Sequence, residues 1–294
     1  MKTGAVAIAE PRSRLADFAA LTKPRLNSLV IVTTGVGYLA GQVGDFDLSL
    51  FIHTTVGAAL VAGGAAALNQ VAERDLDDRM HRTRDRPMPA GRLHTTEAVW
   101  LAVLLAAAGL LQLSLGANRS AAVFAFATLV SYVAVYTPLK RRTHWALLVG
   151  AVPGALPVMI GWAAAAPLSP AAWSLFGLVF VWQLPHFLAL TWLYRDDFAA
   201  GGLPLLSVTD PSGGRTTRHL LVYAAILVPV SLAPAWFGLA GLGYAVGAGA
   251  LSIGLFGLAV RFAIARSTDW ARVLFRATLL YLPLVWGLLL VDAV

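Results

Sequence analysis

The sequence predicts an all-α membrane protein of nine transmembrane helices, with a cytoplasmic N-terminus and an outside C-terminus. Three observations carry that expectation. The 294 residues are 58% hydrophobic and 13% charged, whereas soluble domains are about 45–50% apolar and about 25% charged, so there are too few charges to coat a water-soluble globule. Uncharged stretches long enough to cross a hydrocarbon core about 30 Å thick recur along the chain. The basic residues that separate these stretches fall almost entirely on one side.

Taken in order, residues 26–42, 48–72, 98–118 and 120–139 each make one span. Residues 143–194 contain no Asp, Glu, Lys or Arg and supply two, with Ala166-Pro167-Leu168-Ser169-Pro170 as the turn between them. Residues 219–260 supply two more and break near 238–243. Residues 277–291 make the last, which begins earlier if Arg276 snorkels. Nothing shows the alternating dyad pattern of a membrane barrel. With nine spans, every Lys and Arg except Arg119 lies on one face, and the positive-inside rule makes that face cytoplasmic. The formal charge of +7 therefore belongs to a membrane surface and not to a nucleic-acid interface. The absence of cysteine excludes disulfides, thiolate metal sites and cysteine nucleophiles. Residues 1–21 read as a tail in which 13–21 suit a short interfacial helix, and residues 22–294 as one domain. Neither a cleavable signal nor an Arg- and Ser-rich transit peptide is evident, which points to a bacterial inner membrane.

Two inside loops carry most of the acidic residues. Asn69, Glu73 and Asp77 are spaced i, i+4, i+8 and so share one face of a helix. Carboxylates stacked at a membrane edge repel one another, and a divalent cation relieves that strain. Oxygen-only ligands suit Mg²⁺ or Ca²⁺, and Mg²⁺ characteristically shares its shell with substrate phosphates. Arg82 and Arg86 follow, before Pro87 and Pro89, and the planar guanidinium fork suits phosphate oxygens. Lys140 and Arg141, after the fourth span, serve either as a topology anchor or as phosphate contacts. In the loop after the sixth span Asp196 and Asp197 are adjacent, so both cannot point the same way, and either could join a second metal. His186 lies eight residues before Tyr194, roughly 12 Å deeper at the helical rise. A packed histidine, a ligand and a general base all suit it. No Gly-rich phosphate loop is present.

The run Asn69-x3-Glu73-x2-Leu76-Asp77-x2-Met80-x-Arg82-Thr83-x2-Arg86-x4-Gly91 resembles the signature of the UbiA-type intramembrane prenyltransferase superfamily. Leu21-Thr22-Lys23-Pro24-Arg25, Tyr136-Thr137-Pro138-Leu139-Lys140-Arg141 and Trp182-Gln183-Leu184-Pro185-His186-Phe187 look most like its heme-modifying branch. The similarity covers roughly residues 20–220.

The resemblance implies nine helices around a central cavity and Mg²⁺ on Asn69, Glu73 and Asp77. It implies diphosphate contacts from Arg82, Arg86 and Lys140, with Arg25, Arg141 and Arg195 as further candidates. The implied reaction joins farnesyl diphosphate to a vinyl group of heme B, with addition of water, giving heme O and diphosphate. His186 would orient heme or deprotonate the water. Besides these substrates the expected partners are membrane lipid and a downstream heme-processing enzyme, with no nucleic acid. Quinone-type members carry a second acidic motif with aspartates four apart. Adjacent Asp196 and Asp197, with Tyr194 upstream, agree with the heme branch and leave the ligands of a second metal open. The alternatives are a prenyltransferase of a quinone or other aromatic precursor and a secondary transporter. A transporter fits less well, because its polar residues belong at the midplane.

Overall fold

The computed structural model describes residues 13–293, so the expectations for the first twelve residues lie outside the described part. Fourteen α-helical segments follow one another: α1 Arg14–Leu21, α2 Pro24–Gly41, α3 Leu48–Ala72, α4 Arg74–Arg79, α5 Thr95–Gly116, α6 Arg119–Val130, α7 Thr137–Leu139, α8 Ala146–Ala165, α9 Pro170–Leu193, α10 Arg195–Ala200, α11 Leu206–Thr209, α12 Gly214–Trp236, α13 Leu242–Ala265 and α14 Thr268–Val291. A π turn, Ser131–Tyr136, joins α6 to α7 without ending the rod. No strand occurs among the described residues, only an isolated bridge between Ala240 and Ala293.

Local chemistry sets the helix starts. Asp47 accepts from Leu50 N at 2.9 Å and Asn118 from Ala121 N at 2.9 Å, each satisfying an orphan amide at an N-terminus. Ser13, Ser169 and Ser267 cap α1, α9 and α14 in the same way. Pro24 and Pro170 open their helices, where a missing N–H costs nothing. The turn expected at 166–170 and the break expected near 238–243 both appear, between α8 and α9 and between α12 and α13.

Eight of the described helices are long and apolar enough to span a membrane: α3, α5, α6 through α7, α8, α9, α12, α13 and α14. Helix α2 falls outside that set. It has 18 residues and carries Asn27, Ser28, Thr33, Thr34 and three glycines. Those glycines serve packing. A Cβ on Gly37 would fall on the Val158 carbonyl, and one on Gly161 would fall on the Thr34 carbonyl and 2.6 Å from Tyr38 N. So α2 and α8 cross at backbone contact, the small-residue mode by which membrane helices associate.

The two largest apolar cores fill the bundle. The larger joins α8 and α9 to α12, α13 and α14, through residues such as Trp182, Leu220, Tyr244, Phe262 and Trp286. The smaller joins α2, α3, α5, α6 and α8 around Tyr38, Val61, Leu113, Ala125 and Ile160. Large apolar side chains such as Trp100, Leu104, Leu115, Val123 and Ile253 face outward, as a hydrocarbon solvent requires and water would not permit. Ion pairs link the loop after α3 to α1, to the loop after α7 and to α10, so the charged loops meet at one end of the bundle.

Candidate active site

The expectation of one continuous helix carrying Asn69, Glu73 and Asp77 needs correction. Helix α3 ends at Ala72, Glu73 leaves the helical basin at φ −109° and ψ 11°, and α4 restarts at Arg74. The i+4 bonds nonetheless run through the bend. Glu73 N donates to Asn69 O at 3.0 Å and Asp77 N to Glu73 O at 2.8 Å, which keeps the three residues in line. Arg141 closes the bend from outside. Its Nη2 donates to Ala72 O at 2.6 Å, and its guanidinium grips both oxygens of Asp75 at 2.6 and 3.1 Å. Those hydrogen bonds hold the Asp75 carboxyl below its ordinary range against the opposing effect of burial. Arg141 is thereby committed to the bend and not to the carboxylate cluster.

Glu73 is 4% exposed and Asp77 1%. Carboxylates so deep need partners. Lys140 forms an ion pair with Glu73. Arg86 Nη1 donates to both Asp77 oxygens, at 3.0 and 2.8 Å. Asn69 Nδ2 donates to Thr137 Oγ1 at 3.2 Å, and Thr137 donates to Tyr132 O, five residues back, at 2.8 Å. The π turn thus aims Tyr136, Thr137 and Lys140 at this cluster. Its two tyrosines stack, with Tyr132 and Tyr136 centroids 5.5 Å apart, and Lys140 Nζ lies 5.6 Å from the Tyr136 centroid. π turns inside α-helices recur at functional sites.

Lys23 completes the cluster, at the place for which the sequence offers Arg25. Its Nζ donates to Asn69 Oδ1 at 2.8 Å. Burial pulls its ammonium down to about 8, helped by Arg86 and Lys140 and opposed by Glu73 and Asp77. Its backbone is left-handed, φ 49°, a strained state for a residue with a Cβ and one that clusters at functional sites. The signal was available: Pro24 opens α2, so the residue before it sits at the helix entrance outside the regular spiral. Arg25, one residue into the helix, is exposed and has no carboxylate within ion-pair reach among the described residues.

Of the two adjacent aspartates in the second charged loop, only Asp197 reaches the first loop. Asp197 accepts from His81 N at 2.6 Å and Arg82 N at 3.4 Å, with the Arg82 guanidinium 3.9 Å away. Arg82 also lies over the Tyr194 and Phe198 rings, 5.3 and 5.7 Å from their centroids. Asp196 has a side chain 99% exposed and stands 3.7 Å from Arg195, which itself covers the Trp192 ring at 4.9 Å. His186 sits elsewhere, between α9 and α14. Its Nδ1 shares a 2.8 Å hydrogen bond with Thr278 Oγ1, and its ring stacks on Trp182 and Phe275.

No three His, Cys, Asp or Glu side chains converge among the described residues. The donors that lie in line here are one amide oxygen and two buried carboxylates. That set fits Mg²⁺, which takes one or two carboxylates and leaves the rest of its shell to water and substrate phosphate. Three cations, Lys23, Arg86 and Lys140, stand against the two carboxylates, so the cluster alone carries one excess positive charge.

Known proteins agree with this reading of the fold. The model of the UbiA prenyltransferase family matches residues 30–282. Over 286 residues the chain is 43% identical to the protoheme IX farnesyltransferase of Solibacter usitatus, covering 94% of this chain and 98% of that one. It is 46% identical over 281 residues to the protein of the same name from an Anaeromyxobacter species, covering 94% and 93%. Among solved structures, that of a digeranylgeranylglyceryl phosphate synthase superposes with a TM-score of 0.79 at 14% identity, covering 95% of this chain and 98% of that one. A UbiA homolog from Archaeoglobus fulgidus, bound to DMAPP and Mg²⁺, superposes at 0.61 and 13% identity, covering 93% and 99%. With the family model spanning most of the sequence and relatives above 40% identity along nearly its whole length, this chain belongs to the UbiA prenyltransferase family.

Proposed function

We propose that this protein is a protoheme IX farnesyltransferase, joining farnesyl diphosphate to heme B with addition of water to give heme O and diphosphate. The observation that carries the proposal is the buried cluster in which Asn69, Glu73 and Asp77 face Lys23, Arg86 and Lys140, in a chain so similar to relatives of that name. Asn69, Glu73 and Asp77 would hold Mg²⁺, which supplies positive charge to the leaving diphosphate. Lys23, Arg86 and Lys140 exchange their present partners for diphosphate oxygens, and Arg82 approaches from the loop edge. A diphosphate of roughly three negative charges then offsets the surplus of cations. This is electrostatic catalysis, in which prearranged donors meet charge where it develops. The stacked faces of Tyr132 and Tyr136 offer π density to the allylic cation left behind. His186, held through Nδ1 by Thr278, keeps Nε2 for the heme or the incoming water. No residue acts as a covalent nucleophile.

In this reading α2 is the first of nine spans around a central cavity. The charged loops face the cytoplasm of a bacterium, and the C-terminus lies outside the inner membrane. Membranes containing the protein, given Mg²⁺ and labelled farnesyl diphosphate with either heme B or 4-hydroxybenzoate, test the substrate. Label in a heme product is the expected result, and label in the benzoate alone would replace heme with a quinone precursor.

A further inference from the structure

We infer that Asp17 and Arg92 are positioning residues, which act through α1 to hold the two diphosphate cations Lys23 and Arg86 in register with each other. The inference rests on the diphosphate reading of the cluster.

Four observations connect the pair to the site. Arg92 Nε donates to both oxygens of buried Asp17, at 3.0 Å each, and its Nη2 donates to Asp85 O at 2.9 Å. The loop that ends at Arg92 carries Arg86, and its other end is fastened to Asp77 by Thr83 Oγ1, at 2.9 Å to the Asp77 carbonyl. At the C-terminal end of α1, Gln70 Nε2 donates to the carbonyls of Ala20 and Leu21, at 3.1 and 2.9 Å. Gln70 is the neighbour of Asn69, and the chain leaves α1 through Thr22 directly into left-handed Lys23. Helix α1 therefore bridges the two segments that deliver Lys23 and Arg86.

Adhesion alone does not explain an ion pair here. Leu21, Met88, Leu93, Ala67 and Ala98 already bury the contact between α1 and the loop as one apolar core. An eight-residue helix gains most of its stability from such packing. A buried ion pair contributes little more to stability, and an apolar pair of similar volume often does better. What an ion pair adds is direction. The planar guanidinium meets both Asp17 oxygens through Nε and the Asp85 carbonyl through Nη2, and this pair of directed contacts fixes how α1 lies across the loop.

The apolar double variant Asp17→Leu/Arg92→Met separates the two roles, alongside Asp17→Asn and Asp17→Glu. Purified variants are compared by melting temperature, by KM for farnesyl diphosphate and for heme B, and by hydrogen exchange of the amides of residues 80–93. The expected result is a double variant at least as stable as the parent, with KM for farnesyl diphosphate raised about tenfold and KM for heme B unchanged. Asp17→Asn raises the same KM, Asp17→Glu regains the parental KM, and the loop amides exchange faster in the double variant and in Asp17→Asn. A stable double variant with parental KM overturns the inference, as does a KM change that only follows loss of folded protein. If the parent protein does not use farnesyl diphosphate at all, the functional reading fails separately. Loop exchange then decides the strap, and protection unchanged in Asp17→Asn overturns it.

Discussion

Replacing Arg86 with Gln probes how the cluster handles charge before substrate arrives. Arg86 holds both oxygens of Asp77, which has a side chain only 2% exposed, while Arg86 itself is 27% exposed. Two unit charges about 3 Å apart attract by on the order of 5 kcal/mol at an effective dielectric near 20. Desolvation offsets part of that. Breaking a fully buried pair costs about 3–5 kcal/mol, and screening at the more exposed guanidinium brings the figure to roughly 2–3 kcal/mol. Without metal, the variant should therefore melt several degrees below the parent, because Asp77 is left buried and unpaired. Added Mg²⁺ should recover most of that loss, so the difference in melting temperature between EDTA and Mg²⁺ widens in Arg86→Gln. Affinity for farnesyl diphosphate should move the opposite way. One charge-assisted hydrogen bond is worth about 1.5–3 kcal/mol, or roughly ten- to a hundred-and-fiftyfold in Kd. Thermal melts with and without Mg²⁺, together with equilibrium binding of the diphosphate, read both effects. Parental diphosphate affinity with an unaltered Mg²⁺ response would refute the claim that Arg86 stands in for the ligands at Asp77.

Other outcomes follow from single contacts. Lys23→Met should raise KM for farnesyl diphosphate about tenfold or more, while Arg25→Met leaves it within about twofold, since Lys23 faces Asn69 and Arg25 faces outward. Gly161→Ala should destabilise by about 1–3 kcal/mol or more, because its Cβ meets the α2 backbone at Thr34 and Tyr38. Gly254→Ala, with nothing within 4 Å of its Cβ, should be neutral or stabilising by up to about 1 kcal/mol in the same melt. His144 is lowered by burial first and then by Arg215 and His219. A depressed pKa means that the unfolded chain binds the proton more readily, so stability is full above the unfolded value near 6.5 and falls as pH drops below it. His144→Gln should flatten that acid-side slope in melts taken between about pH 7 and 5.

How much could be read in advance followed the range of the interaction. Spans were legible because a hydrocarbon core demands long uncharged runs, and the Pro-rich break at 166–170 is a local signal. Helix α2 tested that rule, since its glycines and threonines satisfy a close crossing with α8 and not a lipid surface. The spacing of Asn69, Glu73 and Asp77 was visible because helical neighbours are neighbours in sequence. The bend at Glu73 was not, because Arg141, 69 residues away, satisfies the carbonyl that the bend frees. Asp197 on the His81 amide, across 116 residues, is equally silent in sequence and explains why adjacent aspartates take different roles. Lys23 was overlooked because its inward aim depends on backbone handedness, and the π turn at Ser131–Tyr136 has no compositional mark.

The most direct test of the central claim is diphosphate release from farnesyl diphosphate by the purified protein in lipid vesicles with heme B. It should be measured with Mg²⁺ and with EDTA, in the parent and in Glu73→Gln. The expected result is Mg²⁺-dependent release matched mole for mole by heme O, falling by about a hundredfold or more in Glu73→Gln although the variant stays folded. Release that persists in EDTA, or a Glu73→Gln protein as active as the parent, would contradict the assignment of Asn69, Glu73 and Asp77 to the metal–diphosphate site.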